Sequence, residues 1–235
     1  MTNPFSPVPF GRQYRPGLTV LPRHRHGAAY AALVTKGAYE EAGDAGRFCV
    51  GAGDVLLHAE FEAHINRYGN QGAEVASFKL PQGAQPVQAW MRVADPDAII
   101  RLAERNVTAA TALLLASLAA VRCRHSDWPE DLALALRRDP ALSLGEWARE
   151  RGLAAATVSR GFKHVFGVSP HAYRAQMKAR LAWRALVQGR APLATVAMEA
   201  GFSDQAHMTR TVHAVTGLTP GAWRKADRTD SNSCC

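Results

Sequence analysis

Residues 144–224 state one pattern twice. Leu144, Ala148, Gly152 and Leu153 each have a counterpart 49 positions on, at Leu193, Ala197, Gly201 and Phe202. Beyond the glycine the offset becomes 50. There Ser159-Arg160, Gly167, Ser169-Pro170 and Tyr173-Arg174 recur as Thr209-Arg210, Gly217, Thr219-Pro220 and Trp223-Arg224. The second copy therefore carries one extra residue in its turn. A repeat of this period is one supersecondary unit used twice, and a unit of this kind buries its apolar face against a neighbour.

The residue types identify the unit as a helix-turn-helix. Ser143 is placed to cap a helix that carries Leu144, Trp147 and Ala148. Gly152 follows, the residue suited to a left-handed turn. Ala148 is small enough for a second helix to cross closely, and Val158 lies on the inner face of that second helix. Ala197, Gly201 and Met208 repeat these parts. In such a unit the second helix enters the major groove and presents its outward side chains to base edges. Those outward positions are Ala156, Ser159, Arg160 and Lys163 in the first copy, and Gln205, Ala206, His207, Thr209 and Arg210 in the second. Arg160 and Arg210 are equivalent, and a guanidinium bonds guanine bidentately. Gln205 suits adenine, while Lys163 suits a phosphate, which gives affinity without sequence information. The bland reading of the same residues is a solvated helix face. A long helix from His171 to about Gln188 joins the units, and a stiff one would set the two recognition helices about 34 Å apart, one turn of DNA.

Charge agrees with a polyanionic partner. Residues 1–136 carry 13 Lys+Arg and 13 Asp+Glu, whereas residues 137–235 carry 15 and 7. The excess positive charge therefore lies wholly in the repeat half. Cys49, Cys123, Cys234 and Cys235 have neither metal-ligand nor disulfide-framework spacing. No segment reads as a signal peptide or a membrane span, so a cytoplasmic protein without membrane partners is expected.

Residues from about 138 to 225 resemble the DNA-binding domain of AraC/XylS-type transcriptional regulators. The resemblance is carried by Gly152-Leu153, Ser159-Arg160-Gly161-Phe162-Lys163, Phe166-Gly167-Val168-Ser169-Pro170, Gly201-Phe202-Ser203-Asp204-Gln205-Ala206-His207-Met208-Thr209-Arg210 and Pro220-Gly221-Ala222-Trp223-Arg224. It implies gene regulation in a bacterium and a partner domain that senses a ligand. Two positions depart from the pattern. Val212 stands where an aromatic is usual, and Ala156 is small where some relatives place a large base-contacting side chain.

The N-terminal half has a different grammar. After a Pro/Gly-rich stretch to about residue 22, expected to be an irregular arm, short apolar runs alternate with turn signals. Strands are expected at Tyr30–Val34, Arg47–Val50, Val55–His58 and Val75–Leu80, with Glu41–Gly46 as a hairpin loop. Residues 97 to about 123 read as helix, interrupted near Asn106, and another helix follows Asp127.

The spacing of His24-Arg25-His26 to Gly37, and of Gly53 to His64, resembles the two cupin motifs. Tyr30 replaces the first-motif Glu; Ala59, Phe61 and Tyr68 replace the second-motif Pro, Gly and Asn. Histidines at i and i+2 of a strand share a face. His24, His26 and His64 are therefore candidate ligands of a divalent metal such as zinc. The same residues also suit an organic-ligand pocket, with Tyr30, His58 and Glu62 as further candidate lining. No cofactor is required.

The fold expected is α+β in two domains, a cupin-like β-barrel followed by an all-α tandem helix-turn-helix domain. The boundaries expected are 1–95 for the sensor, 96–137 for a helical linker with candidate dimerisation helices, 138–226 for DNA binding and 227–235 for a disordered tail. The function expected is sequence-specific transcription regulation, without enzymatic activity, in response to a small molecule or metal. The partners are promoter or operator duplex DNA, a second copy of the chain and, for an activator, RNA polymerase. The alternative is a metal-dependent cupin enzyme fused to a DNA-binding domain.

Overall fold

A computed structural model describes residues 7–8, 10–121 and 127–230, with side chains described as far as Ala226. The chain divides into two compact units, the first centred on residues 5–130 and the second on residues 131–164 and 168–235.

The first unit is a bent antiparallel sheet of eight strands: β1 (Gly11–Arg15), β2 (Val20–Arg25), β3 (Tyr30–Gly43), β4 (Gly46–Gly51), β5 (Asp54–His58), β6 (Ala63–Lys79), β7 (Trp90–Arg92) and β8 (Ala119–Ala120). Two strands, β3 and β6, run the length of the unit and pair with each other throughout. Their near ends add β5 and β1, and their far ends add β4 and β2. Pairing follows an open path from β1 to β8 rather than a closed ring. The expected irregular arm is not seen beyond residue 10: β1 and β2 are both paired to β6. Composition misled there, because edge strands tolerate the Pro and Gly that a central strand does not.

Alternation along the strands separates two faces. Ala31, Leu33, Val55, Leu57, Ala76 and Phe78 point one way and join Ile99, Ile100, Ala110 and Leu114 in a core. The last four come from helices α1 (Pro96–Ala103) and α2 (Val107–Ala116). The interruption expected near Asn106 is present, but the second helix ends at Ala116, well short of residue 123. Asn106 makes the break: it is extended, and its side chain accepts from Ala109 N–H at 2.9 Å, starting α2 as an N-cap. Asn106→Ala should cost about 1 kcal/mol, read as a lowered denaturation midpoint of the full chain. An unchanged midpoint would mean that packing alone fixes where α2 begins.

The opposite face carries Tyr30, Ala32 and Leu56, and farther along Tyr39 and Tyr68. The change from even to odd positions in β3 has a cause. The β3–β6 register shifts between Val34 and Lys36 and again between Gly37 and Tyr39. Gly37 and Gly72 sit there, both at φ +69°. A Cβ on Gly37 would stand 2.1 Å from the Gly72 carbonyl oxygen, so only glycine fits. The bulge turns Tyr39 and Glu41 toward the cavity that Tyr30 and Ala32 also line.

The second unit is all helix: most of α3 (Trp128–Arg138), then α4 (Leu144–Glu150), α5 (Ala155–Phe166), α6 (Pro170–Gln188), α7 (Leu193–Glu199), α8 (Gln205–Thr216) and α9 (Pro220–Asp230). The helix α9 continues past the expected end at residue 226; residues 231–235, with Cys234 and Cys235, lie outside the described residues, as does Cys123. Cys49 is exposed and forms no disulfide among the described residues. No helix among the described residues is long and apolar enough to cross a membrane.

The internal repeat is reproduced in hydrogen bonds. Leu153 N–H donates to Ala148 C=O and Phe202 N–H to Ala197 C=O, each at 2.9 Å. Gly152 and Gly201 take φ +63° and +77°. Arg174 donates to the Leu142 carbonyl, and its counterpart Arg224 donates to the Ala191 carbonyl. Each guanidinium thus ties the helix after a recognition helix to the chain entering the same unit.

Candidate DNA interface and ligand cavity

The two helix-turn-helix units are α4–α5 and α7–α8. Their first helices bury Trp147 with Ala148, and Val196 with Ala197. The second helices bury Val158 with Phe162, and Met208 with Val212, which is fully buried. Ser143 caps α4 through Glu146 N–H, as the sequence suggests. The cap of α8 is Asp204, whose carboxylate accepts from His207 N–H at 2.7 Å. That hydrogen bond, with one from Ser203, holds the Asp204 carboxyl below its usual range.

On the outward side of α5, Ala156, Ser159, Arg160 and Lys163 are all exposed. On α8, Gln205, Ala206, His207 and Arg210 are exposed and Thr209 is half-buried. Arg160 and Arg210 thus stand at matching exposed positions. His207 is engaged differently. Its ring stands edge-on to Phe202 at 5.2 Å, and Nδ1 lies 3.3 Å from Ser203 Oγ. It braces the turn between α7 and α8, a role the spacing did not suggest. Ala206 has no polar atom and offers a base only a methyl surface. Two cations of α6 are spent inside the unit: Arg174 as above, and Lys178 on the Gly201 carbonyl at 2.6 Å.

The first unit contains a cavity of about 510 Å³ on the inner sheet face. His24, His26 and His64 line it together. Pairing of His24 with His64 across β2 and β6 brings two of them side by side. Each offers a ring nitrogen within 4.8 Å of the other two. The His24 Nδ1 lies 2.8 Å from the Pro22 carbonyl oxygen. A carbonyl only accepts, so Nδ1 carries the hydrogen and Nε2 keeps its lone pair. His64 has Nε2 at 3.3 Å from the Tyr30 hydroxyl, while its buried Nδ1 has no hydrogen-bond partner among the described residues. Burial, reinforced by the neighbouring histidines, drives the His64 pKa well below its ordinary value; burial also lowers His24. Ring nitrogens of three histidines within 4.8 Å of one another, two of the rings favoured in the neutral form by burial, suit a divalent metal, so these residues fit one.

Tyr30 also lines the cavity, and His58 stacks on its ring at 4.4 Å and 15°. Glu62 is not part of the lining; its carboxylate accepts from Ala59 N–H at 3.1 Å and closes the turn before β6. Sequence reasoning missed Glu41, Tyr39, Asn66 and Tyr68, which line the cavity too. Glu41 is buried, and burial pushes its pKa up to about 8 against the opposing hydrogen bond from Asn66. Burial likewise raises Tyr39, and Tyr68 to about 12.

Residues 147–226 match the family described as "Helix-turn-helix domain". The virulence regulon transcriptional activator VirF of Yersinia enterocolitica is 35% identical over 81 residues, which are 34% of this chain and 30% of that protein. The HTH-type transcriptional regulator ExsA of Pseudomonas aeruginosa is 33% identical over 82 residues, 35% of this chain and 30% of that protein. A Streptomyces antibioticus protein described as AraC-like is 33% identical over 92 residues. The matched segment thus spans about a third of the length of these relatives. Among solved structures, ToxT from Vibrio cholerae aligns over 92% of this chain and 98% of its own at 6% identity, with a TM-score of 0.43. Residues 147–226, with their repeat and paired second helices, are thus a tandem helix-turn-helix segment similar to those of transcriptional regulators, one of them described as AraC-like.

Proposed function

We propose that the chain is a sequence-specific DNA-binding transcription regulator whose N-terminal unit senses a ligand. One observation carries the reading. Two recognition helices in tandem helix-turn-helix units expose an arginine at the same repeat position, Arg160 and Arg210, in the half of the chain that holds all the excess positive charge. Lys163 contacts phosphate, and Ser159, Gln205, Ala206, His207 and Thr209 complete the surface that faces the duplex. Selection from a pool of random duplexes at about 150 mM salt tests it. Enrichment of a bipartite site with half-sites about one helical turn apart is expected. Uniform recovery of all sequences would leave only nonspecific, charge-driven binding.

The effector enters the 510 Å³ cavity, which is of the size that takes a small organic molecule and not a bare ion alone. His24, His26 and His64 would hold a divalent metal such as zinc there. Such an ion would supply a Lewis-acidic centre with open positions toward the rest of the cavity. The regulator reading is preferred to that of a metal-dependent enzyme because Tyr30, and not a carboxylate, stands at the first-motif position, stacked on His58. The protein acts as a homodimer through α2, where Val107, Leu113 and Leu115 are exposed and no charged residue intervenes.

A further inference from the structure

Two sets of candidate ligands in the first unit share one residue. The first is His24, His26 and His64. The second is Glu41, His58 and His64, all three buried, with one donor atom of each within 4.8 Å of the others. Nothing in the sequence pairs Glu41 with a histidine. The pairing arises because β3 and β6 place Glu41 opposite Asn66 and Tyr30 opposite Lys79, while β5 sets His58 opposite Tyr30.

The donor spacing of the second set suits one shared ion. His58 Nε2 lies 3.6 Å from Glu41 Oε1, too long for a hydrogen bond. Two donors bound to one tetrahedral zinc at about 2.0–2.1 Å stand roughly 3.3 Å apart. The separation is thus close to that across a coordinated ion. The supporting contacts hold the donors in place. Asn66 Nδ2 donates to Glu41 Oε2 at 2.8 Å, leaving Oε1 on the histidine side. The Tyr30 ring stacks on His58 at 4.4 Å, and the Tyr30 hydroxyl reaches His64 Nε2. Partners of this kind orient ligands around metals.

The charge balance points the same way. Glu41 has no Lys or Arg within ion-pair distance among the described residues, and it is only 4% exposed. A buried carboxyl in that position either keeps its proton or takes a cation. A set of one carboxylate and two imidazoles suits divalent zinc, cobalt or nickel.

We propose that Glu41, His58 and His64 form a second, deeper position for a divalent transition-metal ion, an alternative to the His24–His26–His64 position, with His64 common to both. The inference rests on reading the cavity as the sensor site. Because His64 is shared, the chain holds one ion, and the ion exchanges one partner set for the other. The deeper set carries the negative charge and is the tighter.

The test is the metal content of the full chain after dialysis against cobalt(II) and removal of free ion. Circular dichroism checks each variant for the native fold. One cobalt per chain is expected in the unaltered protein, in His24→Ala/His26→Ala and in Glu41→Gln/His58→Gln, the last with affinity reduced at least tenfold. None is expected in His64→Ala. Loss of cobalt from His24→Ala/His26→Ala with the fold intact would overturn the deeper position. So would two ions in the unaltered protein, since His64 would then not be shared, or none. Should the alanine pair lose its fold, His24→Gln/His26→Gln takes its place. The random-duplex selection does not depend on any of these outcomes, so failure of the deeper position is separable from failure of the regulator reading.

Discussion

Phe162→Ala should destabilise the second unit by about 3–5 kcal/mol, the usual cost of emptying a buried phenylalanine position. The ring is fully buried on the inner face of α5 and meets Tyr173 of α6 edge-on, with centroids 5.3 Å apart. The geometry adds to burial, since edge-to-face pairs contribute beyond their area. Tyr173 is itself fully buried, and its hydroxyl accepts from Arg137 at 3.2 Å. A void beside Phe162 therefore loosens the attachment of α5, α6 and α3 at once. The repeat supplies an internal control. Val212 is the counterpart of Phe162, also fully buried. The counterpart of Tyr173 is Trp223, whose Nε1 donates to Thr216 Oγ1 at 2.8 Å and whose ring meets Trp183 at 5.8 Å. Val212→Ala removes fewer carbons, and should cost distinctly less than Phe162→Ala. Urea titration of the full chain, followed by tryptophan fluorescence, reads both. Equal costs would show that the second repeat depends on Val212 as the first does on Phe162.

Why the C-terminal half was legible and the cavity was not is a matter of range. A helix-turn-helix is built from contacts within about ten residues. Ala148, Gly152 and Val158 are each required by a local constraint: close crossing, a left-handed turn and an inward apolar side chain. The matching arginines Arg174 and Arg224 recur with the rest, although their task of bonding Leu142 and Ala191 carbonyls needs the folded unit to be seen. In the N-terminal half, His24 and His64 lie far apart in sequence and meet only through β2–β6 pairing. Motif spacing, and not local physics, brought them together in advance. Glu41 is out of reach of local pattern because Glu41–Gly46 reads as a hairpin loop, whereas the chain turns only after Gly43. Strict alternation would also have put Glu41 on the outer face with Ala31 and Leu33. The register shifts at Val34–Lys36 and Gly37–Tyr39 reverse that, because a bulge changes the parity of the strand beyond it. A glycine inside a strand run is the available signal, and it marks where period-2 reasoning must restart.

Arg160→Ala and Arg210→Ala should each weaken binding to the selected duplex by about 1–3 kcal/mol, roughly 5- to 150-fold, and relax base preference at one position of one half-site. The two arginines occupy different repeats, so each loss should fall on a different half-site. The double variant should lose close to the sum, because well-separated contacts add. Lys163→Ala should behave differently. A phosphate contact carries no sequence information, so its loss weakens all duplexes alike and reduces the salt dependence by about one counterion. Fluorescence anisotropy on matched and mismatched duplexes at several salt concentrations separates the two kinds of loss. Both arginines are exposed, so neither change should disturb the fold. A drop in affinity with base preference intact would move that arginine from the bases to the backbone. An unchanged affinity would remove it from the interface, leaving Gln205 and the half-buried Thr209 as the remaining polar readers on α8.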